Sequence, residues 1–176
     1  NDQIFTSFSP NERLVQKNFA QFTNRNFYWR TGTNYKLNEK SNLLFNYNLN
    51  LGNDRITGDA STVGTGIDFT NNSLSNIKNS NNELSLQYKT KLDTIGRTLD
   101  IIAYSNFFNR NPNTVSNGQN NGTATFYNGK IDFNLTNHYL KYDFAIPFKK
   151  LDLSINTGGK YNYIKVNDKG IYNLNS

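Results

Sequence analysis

The chain contains no cysteine and no methionine, and among its 176 residues there are three prolines, one tryptophan and one histidine. The lack of cysteine excludes a disulfide framework, and a single histidine without thiols excludes a zinc site built from the usual ligands. A Ser-His-Asp triad would have to use His138, and no spacing around this residue supports one. We therefore expect neither an enzymatic activity nor a cofactor.

Long apolar runs are also missing. No stretch of 18 apolar residues occurs, so we expect no membrane-spanning helix, and no signal-peptide pattern opens the chain. The mean hydropathy is −0.73. A hydropathy scan rarely detects membrane strands, because apolar and polar residues alternate along them. A membrane protein built from strands therefore remains open.

Concentrated charge is absent as well. The 19 basic and 13 acidic residues give a net charge of +6, but the basic residues are scattered and the densest clusters are pairs such as Lys149-Lys150. Scattered positive charge is typical of a solvated surface and differs from the continuous basic patch of nucleic-acid-binding proteins. We expect no nucleic-acid partner.

The chain is instead rich in asparagine, with 33 residues, and in aromatic residues, with 11 Tyr and 13 Phe. Between Leu43 and Leu51 every second residue is apolar, and Asn46, Asn48 and Asn50 stand between the later ones. A period of two indicates a β-strand with one apolar side. Such a strand is half-buried in a soluble core, or it has lipid on one side and water on the other.

Six segments alternate in this way, and only one short stretch, 11–22, is a candidate for a helix. The apolar sides run over Phe27–Leu37, Leu43–Leu51, Leu84–Leu92, Leu99–Phe107, Leu140–Phe148 and Leu151–Tyr163, taking every second residue, and none of the 33 positions is charged. We therefore predict an all-β protein, an antiparallel up-and-down barrel of which about six strands are present.

The connections favour a membrane barrel. Links 38–41, 93–97 and 149–150 are short, whereas the polar tracts 53–82 and 109–129 are rich in Asn, Gly, Ser and Thr and are predicted to be long irregular loops. Alternating short and long connections are typical of outer-membrane barrels, with short periplasmic turns and long extracellular loops. Ten residues at about 3.4 Å each, tilted by about 45°, also rise roughly 25 Å, the height of the apolar zone of such barrels.

This interpretation assigns three sets of side chains. The residues predicted to face lipid are Leu43, Phe45, Tyr47, Leu49, Leu51, Leu84, Leu86, Tyr88, Leu140, Tyr142, Phe144, Ile146, Leu151, Leu153 and Ile155. The predicted aromatic girdle consists of Phe27, Trp29, Tyr35, Phe107, Phe148, Tyr161 and Tyr163. The residues predicted to face the lumen are Arg30, Lys36, Glu83, Lys89, Asp100, Lys141, Asp143 and Lys160.

One segment is out of phase. Ile131, Phe133 and Leu135 have odd numbers, whereas the apolar side of Leu140–Phe148 has even numbers. A bulge near Thr136–His138 would restore the phase. Alternatively, residues 129–137 lie above the membrane in an extracellular extension, which is the interpretation that we favour.

The segments "NFYWRTGTNYKLNEKSNLLFNYNLNLGNDR" and "YLKYDFAIPFKKLDLSINTGGKYNY" resemble the β-barrel portion of TonB-dependent outer-membrane receptors of Bacteroidota, over residues 25–166. The resemblance implies a bacterial outer-membrane location, a plug inside a barrel of 22 strands, and import of siderophores, glycans or peptides driven through TonB. The implied partners are outer-membrane lipid and the remaining strands and plug of the same barrel, with TonB and a surface lipoprotein as further candidates. The ligand is not implied.

The chain departs from this family in having no recognisable plug, no TonB box and no terminal aromatic residue. We therefore expect an interior slice of a larger barrel, in which 1–24 is a preceding loop or strand end and 167–176 starts the next loop. Closure into a small eight-stranded barrel, with strands from 1–22 and 169–176, is one alternative. A soluble β-barrel or β-sandwich that binds a ligand, or an adhesin-like surface module, are the others.

Overall fold

The computed structural model describes residues 2–9, 12–148 and 151–175, with side chains described from Leu14 onward. Seven strands form in these ranges: β1 (Asp2–Ser9), β2 (Glu12–Lys36), β3 (Ser41–Gly64), β4 (Ile67–Lys91), β5 (Thr98–Asn120), β6 (Thr123–Phe148) and β7 (Leu153–Asn175). Within the same ranges there is no helix long and apolar enough to cross a membrane.

The strands form one antiparallel sheet in the order β1 to β7, each paired with the next along the chain. The predicted all-β, up-and-down architecture is therefore confirmed, and the six predicted segments lie in β2 to β7. The ladders of the described residues do not join β1 to β7, so the sheet is open in these ranges.

The polar tracts 53–82 and 109–129 are strands, which corrects the prediction of long irregular loops. β3 and β4 pair without interruption from Ser41↔Thr90 to Gly64↔Ile67, and β5 and β6 meet at Asn120↔Thr123. The tight connection at Asn121-Gly122 has positive φ at both residues, 48° and 82°, as required by the turns that favour Asn-Gly in hairpins. Backbone pairing therefore continues through both tracts, although Asn, Ser and Thr are common in loops.

Both ends of the chain are strands, where the prediction was a preceding loop or strand end for 1–24 and the start of a loop for 167–176. The candidate helix at 11–22 lies in β2 from residue 12 onward, and residues 2–9 form β1. Residues 167–175, predicted to start a loop, continue β7 and pair with β6. The neighbouring ladders extend these segments, which no local pattern indicated.

Three connections at one end of the sheet occur at the predicted short links. Residues 37–40 join β2 to β3, and residues 92–97 join β4 to β5. The third is longer than predicted, because Phe148 pairs with Leu153 and leaves Leu151 in the turn, where it is 73% exposed. The prediction that Leu151 continues the strand is therefore wrong. The predicted turn residues Lys149 and Lys150 lie outside the described residues.

Every ladder keeps a single register along its length. The pairs Phe107↔Thr136, Asn106↔Asn137 and Ser105↔His138 are consecutive, so the described strands contain no bulge near Thr136–His138. The ladder between β5 and β6 is interrupted only between Arg110↔Phe133 and Asn113↔Lys130, on either side of Pro112. Proline has no N–H to donate to the neighbouring strand. The apolar residues of β6 therefore change sides along a strand that has no bulge.

Candidate functional site

The registers place the six predicted apolar sides on the same face of the sheet. Leu49 lies opposite Trp29 and Asn82, and the pairing continues through Phe107 and Thr136. Because side chains alternate strictly between the two faces, this register assigns every residue to a side. We call the two sides the Leu49 face and the Asn48 face.

The apolar part of the Leu49 face forms a continuous area, which we call the apolar band. It comprises every second residue of Phe27–Tyr35, Leu43–Leu51, Leu84–Thr90, Leu99–Phe107, His138–Phe148 and Leu153–Tyr163. All residues predicted to face lipid lie in it except Leu151, and so do all seven residues of the predicted girdle. The band contains no charged residue.

On the inner strands, several apolar residues of the band are more exposed than the polar residues next to them. Asn106 is buried at 8% exposure, whereas the adjacent Phe107 in the band is 47% exposed. Leu140 and Tyr142 are exposed at 51% and 49%, while Lys141 between them is half-buried. Among the described side chains only Ile77 is a buried hydrophobic residue. The described sheet therefore has no second layer covering its apolar band.

Glycines are concentrated on the Asn48 face. Of the nine glycines within strands, eight lie on it: Gly32, Gly52, Gly58, Gly64, Gly118, Gly129, Gly158 and Gly170. A Cβ atom at Gly158 would lie 2.7 Å from an Asp143 carboxylate oxygen, and one at Gly32 would lie 2.6 Å from the Asn46 amide oxygen. The Asn48 face is thus crowded at these glycines.

All eight residues predicted to face the lumen lie on the Asn48 face. One of them, Glu83, joins a polar network across β3, β4 and β5. The Asn48 side chain donates to Glu83 at 3.2 Å, and Glu83 also accepts from Asn81 at 2.9 Å. Asn81 in turn accepts from Asn106 at 2.6 Å. This part of the face is polar and internally hydrogen-bonded.

Nearer the short turns, charged pairs continue the network. Asp100 accepts two hydrogen bonds from Gln87 at 2.8 Å and lies 3.6 Å from the Lys89 ammonium group. The Lys141 and Asp143 side chains form an ion pair at 2.6 Å. The Lys160 ammonium nitrogen lies 4.3 Å from the centroid of the Tyr139 ring. Charges of both signs are therefore paired along this side of the sheet.

Beyond the band each of β2 to β7 continues for 12 to 17 more residues, such as Gly52–Gly64 in β3, and we call this part the extension. Here the polarity of the faces reverses. Ten charged residues of the extension lie on the Leu49 face: Lys17, Arg25, Arg55, Asp59, Asp68, Lys78, Lys130, Asp132, Lys165 and Lys169. The out-of-phase residues Ile131, Phe133 and Leu135 lie on the Asn48 face. The interpretation of 129–137 as part of an extension above the band is consistent with this reversal.

His138 lies in the apolar band, where its Nδ1 is 2.9 Å from the Ser105 hydroxyl. Its ring contacts Phe107 edge-on, with centroids 5.3 Å apart, and stacks on Tyr163 at 6.1 Å. No local pattern in the sequence indicates this Ser-His contact, because the two residues are 33 positions apart. In the described part of the chain no three His, Cys, Asp or Glu residues are grouped so that they could hold a metal ion.

A second feature that sequence reasoning missed is a cavity of about 410 Å³ on the Asn48 face of the extension. Phe108, Arg110, Pro112, Ile131, Phe133 and Asp168 line it. It combines two opposite charges with apolar and aromatic side chains from three strands. No single segment of the sequence carries this combination.

No protein-family model matches the chain, and no curated protein is significantly similar to it.

Proposed function

We propose that this sheet is part of the wall of an outer-membrane β-barrel of the TonB-dependent receptor type, which imports a ligand across the outer membrane. In this proposal the apolar band faces lipid and the Asn48 face lines the lumen. The proposal rests on one observation above all, the exposure of an uncharged apolar band opposite a crowded polar face. The receptor type and the import activity rest on the resemblance of the sequence, and the ligand is left open at this stage.

The exposure pattern supports lipid contact over a soluble barrel. In a soluble ligand-binding barrel, apolar side chains fill the concave side and polar side chains face water. Here Asn106 is buried and Phe107 is exposed, and the strand glycines lie on the polar face. An arrangement with polar residues inside and apolar residues outside is typical of barrels that span a membrane.

The slope of the apolar band is a second argument. Phe27 of β2 is aligned with Asn167 of β7, but the last band residue on β7 is Tyr163, four positions lower. At the other end, Tyr35 is aligned with Gly159, and the band continues on β7 to Leu153. From β2 to β7 the edge of the band is therefore displaced by four residues along the strands. At about 3.4 Å per residue and 4.8 Å between neighbouring strands, this displacement corresponds to a strand tilt of roughly 30°. Strands of membrane barrels are tilted by about 35–45°.

The direct test is the environment of two adjacent side chains. Leu49→Cys and Asn48→Cys variants are labelled with an environment-sensitive fluorophore after the chain is folded into phospholipid vesicles. We expect the label at position 49 to be quenched by lipid-attached quenchers and the label at position 48 by aqueous iodide, because adjacent residues of a strand point to opposite faces.

Equal quenching at the two positions would contradict the proposal, as would protection of position 49 from both quenchers. Leu153→Cys and Ser154→Cys form a matched pair on β7, where the same alternation is expected. Import itself is tested separately, by uptake of candidate ligands into cells with and without an energised inner membrane.

A further inference from the structure

The cavity on the Asn48 face of the extension is centred on a row of three residues. Arg110 lies directly opposite Phe133, and Phe133 lies directly opposite Asp168. Neighbouring strands are about 4.8 Å apart, so the Arg110 and Asp168 backbones are separated by roughly 10 Å. The Phe133 ring therefore stands between a fixed positive charge and a fixed negative charge.

Charged residues of the extension are rarer on the Asn48 face than on the Leu49 face. Among the described side chains, the extension has ten charged residues on the Leu49 face and three on the Asn48 face: Asp54, Arg110 and Asp168. Arg110 is the one cation on that side of the extension. Neither Arg110 nor Asp168 forms a side-chain hydrogen bond or an ion pair with another described residue. Both charged groups are thus available to a ligand.

The other residues that line the cavity are apolar, and the backbone pairing is interrupted beside two of them. The Phe108 and Phe133 rings meet edge to face, with centroids 6.1 Å apart and planes at 67°. Pro112 and Ile131 line the next row, at the point where the ladder between β5 and β6 is interrupted. A volume of about 410 Å³ lies within the range of small-ligand sites, roughly 300–1,000 Å³.

We propose that this cavity binds a small zwitterion whose positive and negative groups lie about 10 Å apart on either side of an apolar group. The ligand carboxylate pairs with Arg110, its ammonium group pairs with Asp168, and its apolar centre packs on Phe108 and Phe133. A ligand with only negative charge is disfavoured, because Asp168 repels it. A neutral ligand leaves both charges unpaired.

This inference names a ligand class for the proposed function and rests on it, since the Asn48 face is open to ligands only if it lines a lumen. A tripeptide with free ends and a central phenylalanine, Ala-Phe-Ala, is a suitable probe. Three extended residues at about 3.3–3.6 Å each place the terminal charges roughly 10 Å apart.

The experiment is calorimetric titration of the full chain, folded in detergent micelles, with Ala-Phe-Ala and with the same peptide acetylated at its N-terminus or amidated at its C-terminus. We expect saturable binding of the free peptide with a Kd of about 1 mM or tighter, and at least tenfold weaker binding of either capped peptide. We expect Arg110→Gln and Asp168→Asn each to weaken binding of the free peptide at least tenfold. Neither variant is expected to restore the affinity for a capped peptide.

Lys165→Gln is the matched control, because Lys165 lies on the Leu49 face of the same extension; its affinity is expected to equal that of the original chain. Circular dichroism of each variant establishes that it is folded. The proposal is overturned if the folded chain does not bind the free peptide, if capping has no effect, or if Lys165→Gln weakens binding as much as Arg110→Gln. The fluorophore test at Leu49 and Asn48 is independent, so its success beside a failed titration removes the ligand assignment alone.

Discussion

At the scale of single residues, Asn106 is buried while the adjacent Phe107 is exposed. The sequence predicted that alternate residues differ in polarity, and the registers confirm that the apolar ones share a face. A period of two does not indicate which face is concave, since a soluble barrel and a membrane barrel have the same alternation. The proposal that the band faces lipid therefore rests on the buried Asn106 amide and the exposed Phe107 ring.

A charge placed in the apolar band should have a cost that depends on depth. Leu86 lies near the middle of the band and Leu51 at its edge toward the extension. In vesicles we expect Leu86→Arg to lower the free energy of unfolding by about 2–4 kcal/mol, and Leu51→Arg by about 0–1 kcal/mol, because an arginine near the interface remains hydrated. Denaturant unfolding of the chain in phospholipid vesicles measures both values.

The control for this comparison is Ser85→Arg, which places the same side chain on the Asn48 face beside Leu86. We expect it to have a smaller effect than Leu86→Arg. Similar costs at Leu86 and Leu51 would indicate that no bilayer surrounds the band.

At the scale of elements, the sequence predicted the strands within the band better than those in the extension. Within the band the strands alternate clearly between apolar and polar residues. The extension is rich in Asn, Ser and Thr, which occur in loops as well as in exposed strands. Asn121-Gly122 was the available local signal for a hairpin inside the tract 109–129. The Asn121 side chain also connects the β5–β6 hairpin to the β3–β4 hairpin. Its Oδ1 accepts from the Asp68 backbone N–H at 2.8 Å, and its Nδ2 donates to the Gly66 carbonyl at 3.1 Å.

The turn between β4 and β5 should be sensitive to acid. Asp93 Oδ1 accepts from the backbone N–H groups of Ile95, Gly96 and Arg97 at 3.0, 3.0 and 3.1 Å, and Oδ2 pairs with the Arg97 guanidinium. Partial burial raises the pKa of the Asp93 carboxyl, but these hydrogen bonds outweigh it and the pKa lies below its ordinary value. The ionised form therefore stabilises the folded turn above the ordinary pKa, and this contribution is lost as the pH falls through the lowered pKa.

Amide hydrogen exchange at Ile95, Gly96 and Arg97, corrected for its intrinsic pH dependence, measures this effect. We expect protection to decrease below about pH 4. Asp93→Asn keeps an oxygen that accepts hydrogen bonds but does not titrate, so its protection should be weaker and independent of pH in this range. An unchanged pH dependence in Asp93→Asn would show that another group is responsible.

At the scale of the whole molecule, the candidate ligand site was beyond the reach of sequence reasoning. Arg110 and Asp168 are 58 positions apart, and only the registers of two ladders place them on either side of Phe133. The registers place the residues predicted to face lipid on one face, except Leu151 in a turn, and those predicted to face the lumen on the other. The alternation of apolar and polar residues can be found in each strand separately. A cluster formed by residues of several strands can be found only when the strand pairing is known.

The exposed band should make the chain dependent on amphiphiles. Leu84, Leu86, Leu140, Leu153 and Ile155 are each 42–51% exposed on one face, and a contiguous apolar surface of this kind promotes association in water. We expect the purified chain to be folded and dispersed in detergent and to aggregate when the detergent is removed, as measured by analytical ultracentrifugation and circular dichroism. A folded monomer in plain buffer would contradict the proposed function.

The length of the extension makes the two ends of the sheet unequal. Thirteen residues beyond the band in β3, at about 3.4 Å each and a tilt of roughly 30°, raise the connections at 65–66 and 121–122 by nearly 40 Å. The connections at 37–40 and 92–97 directly follow the band. In a membrane, a protease or an antibody would therefore reach one set of turns freely, while the other set would be shielded by the lipid head groups.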